Sequence, residues 1–276
     1  MPSLPTSLPN LLPTPSAGIR TLARLGFLSI GLVYLVLGAL AVMAAAGVRG
    51  GATADQQQAF QTIQQLPLGQ VLLWLVAVGL LGYVVWRFTQ AWLDTEGKGT
   101  SAAGLATRGF YVFSGLLYVG LAWYAAKLAW YGYQVRETET TKPLLREALQ
   151  HEAGQWALGL AGAGIVVAGV VQIYRALTGK FAGDLNSSRL SATQRRLVYR
   201  TGQVGYSARG VVLLIIGYYC VRAAQYANAS QIRDTAGAFD ALHAMGPVVL
   251  GIVALGLVAY GGYMLVQARF PILRGV

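Results

Sequence analysis

The sequence predicts an all-α polytopic membrane protein: six transmembrane helices, built as three parallel two-helix repeats in a pseudo-threefold arrangement. Three observations predict it. Six apolar segments, roughly 25–46, 68–92, 109–131, 155–177, 204–224 and 246–268, reach membrane length; about 20 residues at 1.5 Å rise cross ~30 Å of hydrocarbon. Charged residues are only 11% of the chain, where a soluble domain carries about 25%, and mean hydropathy is +0.51. A motif also recurs: R-L-G-F-L-S-I-G-L-V-Y from Arg24, R-G-F-Y-V-F-S-G-L-L-Y from Arg108 and Q-V-G-Y-S-A-R-G-V-V-L from Gln203. Each copy carries two spans, so successive copies enter the membrane in the same orientation. Helices are the spanning form, because an open sheet would leave backbone groups unpaired in lipid and the alternation of a barrel is absent.

Along the chain, residues 1–17 hold Pro2, Pro5, Pro9, Pro13 and Pro15 among serines and threonines. They read as a disordered or polyproline-like tail. Repeat one then occupies 18–97, repeat two 98–180 and repeat three 181–276. The first span is not a cleaved signal peptide: its apolar run is too long, no basic residue precedes Arg20, and it matches the third and fifth spans. Gly31, Gly115 and Gly210 align in the first helices, and Gly79, Gly164 and Gly256 in the second. Small residues at these places let helix backbones approach in lipid. The fourth span, with Ala157, Gly159, Ala161, Gly162, Ala163, Gly164, Ala168 and Gly169, is expected to lie against neighbours along much of its length. The linkers within the repeats each hold a short amphipathic stretch: Ala59, Phe60, Ile63 and Leu66; Leu144, Leu145, Ala148 and Leu149; Phe239, Leu242 and Met245. The spacing fits helices lying on the membrane or capping the bundle, with Asp55, Thr141 and Asp234 near their N-caps.

The formal charge is +11. In a chain this apolar, its distribution speaks of topology and not of nucleic acid. The first, third and fifth connections hold seven Lys and Arg: Arg49, Lys127, Arg136, Lys142, Arg146, Arg222 and Arg233. The other 14 of the 21 lie on the termini and on the second and fourth connections. The positive-inside rule places both termini of this multi-pass protein in the cytoplasm. Membrane lipids are the expected partners, with anionic head groups drawn to this basic face at about 1 kcal/mol per residue; protein partners are the second expectation.

Arg209 is the leading site candidate. It sits some five residues inside its span and aligns with Ile30 and Ser114, a depth that suits contact with an anion or a lipid phosphate. Arg24, Arg108, Arg87 and Arg175 lie nearer the inner ends, where side chains snorkel to phosphates; of these, Arg24 and Arg108 join the lipid-contact candidates. Tyr34 and Tyr118 recur in first helices, Tyr83 and Tyr260 in second helices. A buried phenol needs a partner, so interhelical hydrogen bonds are expected, with ligand lining as the alternative. His151 and His243 each stand three residues before a repeat glycine and are weak metal candidates, since the first repeat has Leu66 there. Cys220, the single cysteine, reads as a small hydrophobe. No nucleotide loop, zincin motif, cysteine cluster or nucleophile elbow occurs, and no cofactor or enzymatic activity is expected.

The Ala23-Arg24 and Thr107-Arg108 starts, Gly205-Tyr206-Ser207-Ala208-Arg209-Gly210, and the A-x-G-L helices at Ala77 and Ala254 resemble the bacterial membrane family of the domain of unknown function DUF1206. The likeness spans about residues 20–270. It implies three two-helix repeats in an inner membrane and no assigned activity. Two functions follow as expectations: a non-enzymatic membrane module or accessory subunit binding lipid or protein, or a pore or carrier for an anion, small solute or lipid. The missing intramembrane carboxylates favour the first.

Overall fold

The computed structural model describes residues 17–48, 55–94, 97–132, 146–185 and 190–271. The proline-rich segment 1–16 and residues Thr141, Leu144 and Leu145 lie outside this set. Six helices are long and apolar enough to cross a membrane. They are α1 (Ala17–Ala45), α3 (Gly69–Leu93), α4 (Ala102–Tyr131), α5 (Glu152–Thr178), α6 (Ala192–Gln225) and α8 (Pro247–Arg269). Two short helices, α2 (Gln56–Gln64) and α7 (Thr235–Ala244), connect spans in the first and third repeats.

Capping sets the boundaries. Ser101 accepts from the Gly104 N–H, and Ser191 forms a reciprocal capping box with Gln194. These caps satisfy orphan donors at helix starts. They also begin α4 and α6 well before their apolar runs. Arg209 is therefore the eighteenth residue of α6, which spans 34 residues. Asp55 and Asp234 cap α2 and α7 through the N–H groups of Gln58 and Gly237. Both short helices bury their apolar stripes: Ala59, Phe60 and Ile63 on one, Ala238, Phe239 and Leu242 on the other. Leu66 and Met245 fall past the helix ends and are exposed, so the stripes are one residue shorter than the spacing alone suggests.

The first turn of α1 and the last turn of α8 share one face. The fourth connection returns through a 3₁₀ turn (Lys180–Asp184), and Leu185 pairs with Pro271 in an antiparallel bridge. This terminal face is the basic one; α2 and α7 cover the opposite face.

Helix neighbours run around a ring in the order α1, α3, α4, then α5, α6, α8 and back to α1. Between repeats the backbones meet at glycines. A methyl on Gly261 of α8 would stand 2.8 Å from the Gly31 carbonyl of α1, and one on Gly169 of α5 would stand 2.9 Å from the Gly210 carbonyl of α6. Within repeats one and three, the second-helix glycine meets its partner as closely. A methyl on Gly79 would lie 2.6 Å from the Leu25 carbonyl, and Gly256 is seated on Ala208.

The middle repeat breaks the ring. The backbones of its helices α4 and α5 do not come together closely as those of the other neighbouring spans do. A methyl on Gly164 would meet only the Phe113 ring, at 3.7 Å. By the repeat alignment, Phe113 occupies the place of Ser29 and Ala208, the small residues that let α1 and α6 close on Gly79 and Gly256. A benzyl group against a glycine holds the pair apart. The consequence for α5 is a correction: it packs along one face only, with Gly162, Ala168, Gly169 and Ala176 buried and Trp156, Leu160, Val167 and Val170 exposed. Its small residues serve one long seam, against α6, so the expected length of contact is supplied by one neighbour and not by several.

Candidate functional site

At the centre of the bundle, Arg209 ties the three repeats together. Its Nε donates to the Tyr34 hydroxyl at 3.0 Å, Nη1 to Tyr260 at 2.7 Å and Nη2 to Tyr118 at 3.0 Å. These phenols come from α1, α8 and α4. The rings are locked in edge-to-face pairs, Tyr34 on Tyr260 and Tyr83 on Tyr118, each with centroids 4.8 Å apart. The guanidinium carbon lies 4.9 Å from the Tyr260 ring centre and 5.4 Å from that of Tyr34, so the charge is held by ring faces as well as by oxygens. Glycine makes room for the cluster: a methyl on Gly205 would stand 2.6 Å from the Tyr260 nitrogen, and one on Gly26 would stand 2.7 Å from the Tyr83 Cβ.

A second arginine lies beside it. Arg87 donates from Nε to the Tyr83 hydroxyl at 2.7 Å and from Nη1 to Gln90 Oε1 at 3.0 Å. Its guanidinium lies over the rings of Tyr83 and Tyr111. Arg175 stacks over Tyr206. Toward the terminal face, the fully buried Phe181 packs against Tyr199, Tyr206 and Tyr263, and its carbonyl accepts from the Tyr263 hydroxyl at 2.9 Å.

The balance of charge defines the site. The hydrogen-bond partners of Arg209 and Arg87 are phenols and an amide, all neutral. The six membrane helices contain no Asp or Glu apart from Glu152 in the first turn of α5. Donors are in surplus: each guanidinium has five N–H groups, of which Arg209 uses three and Arg87 two, and each tyrosine oxygen that accepts from them keeps its own proton to give. Arg87, Arg175 and Arg209 are each only partly buried. A cationic, donor-rich cluster of this kind suits an anion.

The other candidates lie elsewhere. Arg108 donates to the carbonyls of Ala91 and Trp92, at 2.7 and 3.2 Å, and so caps the end of α3. Arg24 is exposed on α1. His151 is the exposed residue before α5, and the Nδ1 of His243 is buried without a hydrogen-bond partner. Among the described residues, no three His, Cys, Asp or Glu side chains come together in a group that could hold a metal. The sequence reading singled out Arg209 and all four tyrosines; it left Arg87 as a snorkelling end residue and overlooked Gln90 and Phe113. The alignment carried a signal for Phe113, a large residue where the other repeats have Ser29 and Ala208.

The family described as Domain of Unknown Function (DUF1206) matches the chain in three segments, residues 25–94, 110–179 and 204–271. The chain belongs to the DUF1206 family. It is also similar to the uncharacterized protein YxxB of Bacillus subtilis (strain 168), with 34% identity over 254 residues covering 91% of each chain. No solved structure matches. Each family segment contains one pair of membrane helices, so the arginine–tyrosine centre is assembled from all three.

Proposed function

We propose that this DUF1206 member is a non-enzymatic membrane module that binds lipid, seated in the bacterial cytoplasmic membrane with its basic terminal face toward the cytoplasm. The single observation that carries this reading is the Arg209 tie. Three hydrogen bonds to helices of three repeats cross the place where a pore would run, and the ring pairs around them leave the centre occupied by side chains. The orientation is supported by the 14-to-7 division of Lys and Arg between the two sets of termini and connections in the sequence. A second reading, an anion carrier, draws on the same cationic centre and requires the tie to open during transport.

Flux through proteoliposomes separates the two. Chloride, phosphate and small neutral solutes are expected to cross no faster than in protein-free vesicles under any imposed gradient. Saturable anion flux that disappears in Arg209→Gln would replace the module with the carrier.

A further inference from the structure

The seam between α4 and α5 borders the cationic centre through Tyr111 and Tyr118 of α4 and Arg175 of α5. We propose that this seam admits the phosphate headgroup of an acidic phospholipid from the leaflet on the terminal side, with Arg87 and Arg209 as its counter-charges. The proposal rests on the lipid-binding reading and names its ligand and its route.

Four observations converge. Among the described residues, α4 and α5 are the neighbouring spans in the ring whose backbones approach least closely, with the Phe113 ring between α4 and Gly164 of α5. The helices that border it carry the residues of the centre: Tyr111 and Tyr118 stand on α4 and Arg175 on α5. Arg87 and Arg209 have only neutral partners and unused N–H donors, which match the several acceptor oxygens of a phosphodiester. The outer faces of the two helices expose Leu116, Leu117, Leu160 and Val167, apolar surface suited to acyl chains. Toward the terminal face, Phe181 stacks on Tyr206, which packs in turn on Tyr260 of the centre, so aromatic rings stand between the centre and the water on that side. A lipid, which reaches the seam within the membrane, is thereby favoured over a free anion.

Phe113 sets the opening. In the third repeat its place is held by Ala208, and there α6 closes on Gly256. Phe113→Ala therefore lets α4 settle on Gly164 and narrows the seam without touching either arginine. Arg87→Gln leaves the seam and removes one charge.

The test uses full-length protein in nanodiscs of phosphatidylcholine with or without phosphatidylglycerol, ejected for native mass spectrometry. Wild type is expected to retain phosphatidylglycerol in preference to phosphatidylcholine. Arg87→Gln should reduce that retention about fivefold, the effect of one charge near a membrane surface, and Phe113→Ala should reduce it comparably; thermal melting checks that both are folded. Equal retention of the two lipids by wild type, or unchanged retention in folded variants, overturns the proposal. Should a variant not fold, the comparison of lipids on wild type still decides. Inorganic phosphate, added to phosphatidylcholine nanodiscs, is expected to leave the melting temperature unchanged. Stabilisation equal to that given by phosphatidylglycerol would assign the site to a soluble anion instead. Anion flux in the proteoliposome assay would defeat the module reading while leaving lipid retention as a separate result.

Discussion

Replacing Arg209 by lysine isolates what the guanidinium fork does. The charge stays, so the cost of holding a cation in the membrane is nearly unchanged, while three nitrogens are replaced by one. In the native cluster the nitrogens serve Tyr34, Tyr260 and Tyr118 on three different helices, at 3.0, 2.7 and 3.0 Å. A single ammonium that reaches one of these phenols forfeits the other two bonds. Hydrogen bonds between membrane helices contribute about 0.6 kcal/mol on average and up to ~1.7 kcal/mol. The expected loss is therefore about 1–3 kcal/mol, roughly 5- to 150-fold in the unfolding equilibrium. Tyr260→Phe, which deletes one acceptor, should cost about a third to a half as much. Reversible unfolding in mixed micelles, followed by tyrosine and tryptophan fluorescence, measures both. If Arg209→Lys unfolds within about 0.5 kcal/mol of wild type, the fork is not what joins the repeats and the module reading loses the tie that carries it.

Two further predictions concern other parts of the molecule. Gly261 and Gly262 are neighbours in α8 with opposite surroundings: a methyl on Gly261 would stand 2.8 Å from the Gly31 oxygen, whereas one on Gly262 would meet nothing within 4 Å. Gly261→Ala should destabilise by about 1–3 kcal/mol through forced separation of α1 and α8, and Gly262→Ala should be neutral or stabilising by up to ~1 kcal/mol; the same unfolding assay refutes the packing argument if the order is reversed. Asp94, just past α3, accepts from the Gly99 and Lys98 amides at 2.6 and 2.7 Å, and these bonds hold its carboxyl below the usual carboxylate range. A lowered folded pKa means that the ordering of this turn is complete above the unfolded value of about 3.9 and is lost as pH falls through the folded one. Amide exchange at Lys98 and Gly99, corrected for intrinsic rates, should accelerate below about pH 4 in wild type and show no such step in Asp94→Asn.

Much of the molecule is decided by short-range properties that sequence displays directly. Membrane length and the lack of charge determined six helices, since lipid offers no other partner to a backbone N–H. The repeated glycines marked where backbones meet, and the recurrence of Tyr34 with Tyr118 and of Tyr83 with Tyr260 marked the inward faces. Arg209 stood out because a cation so deep in an apolar segment needs a reason to be there. Only tertiary structure decided that its three nitrogens would each find a phenol from a different repeat, because that depends on residues 51 to 175 positions apart arriving within 3 Å of one another. Only tertiary structure, likewise, converted Phe113 from one more apolar residue into a wedge. Its effect lies in the glycine it faces across the middle repeat, and the identity of a facing residue is a property of packed helices, not of either helix alone.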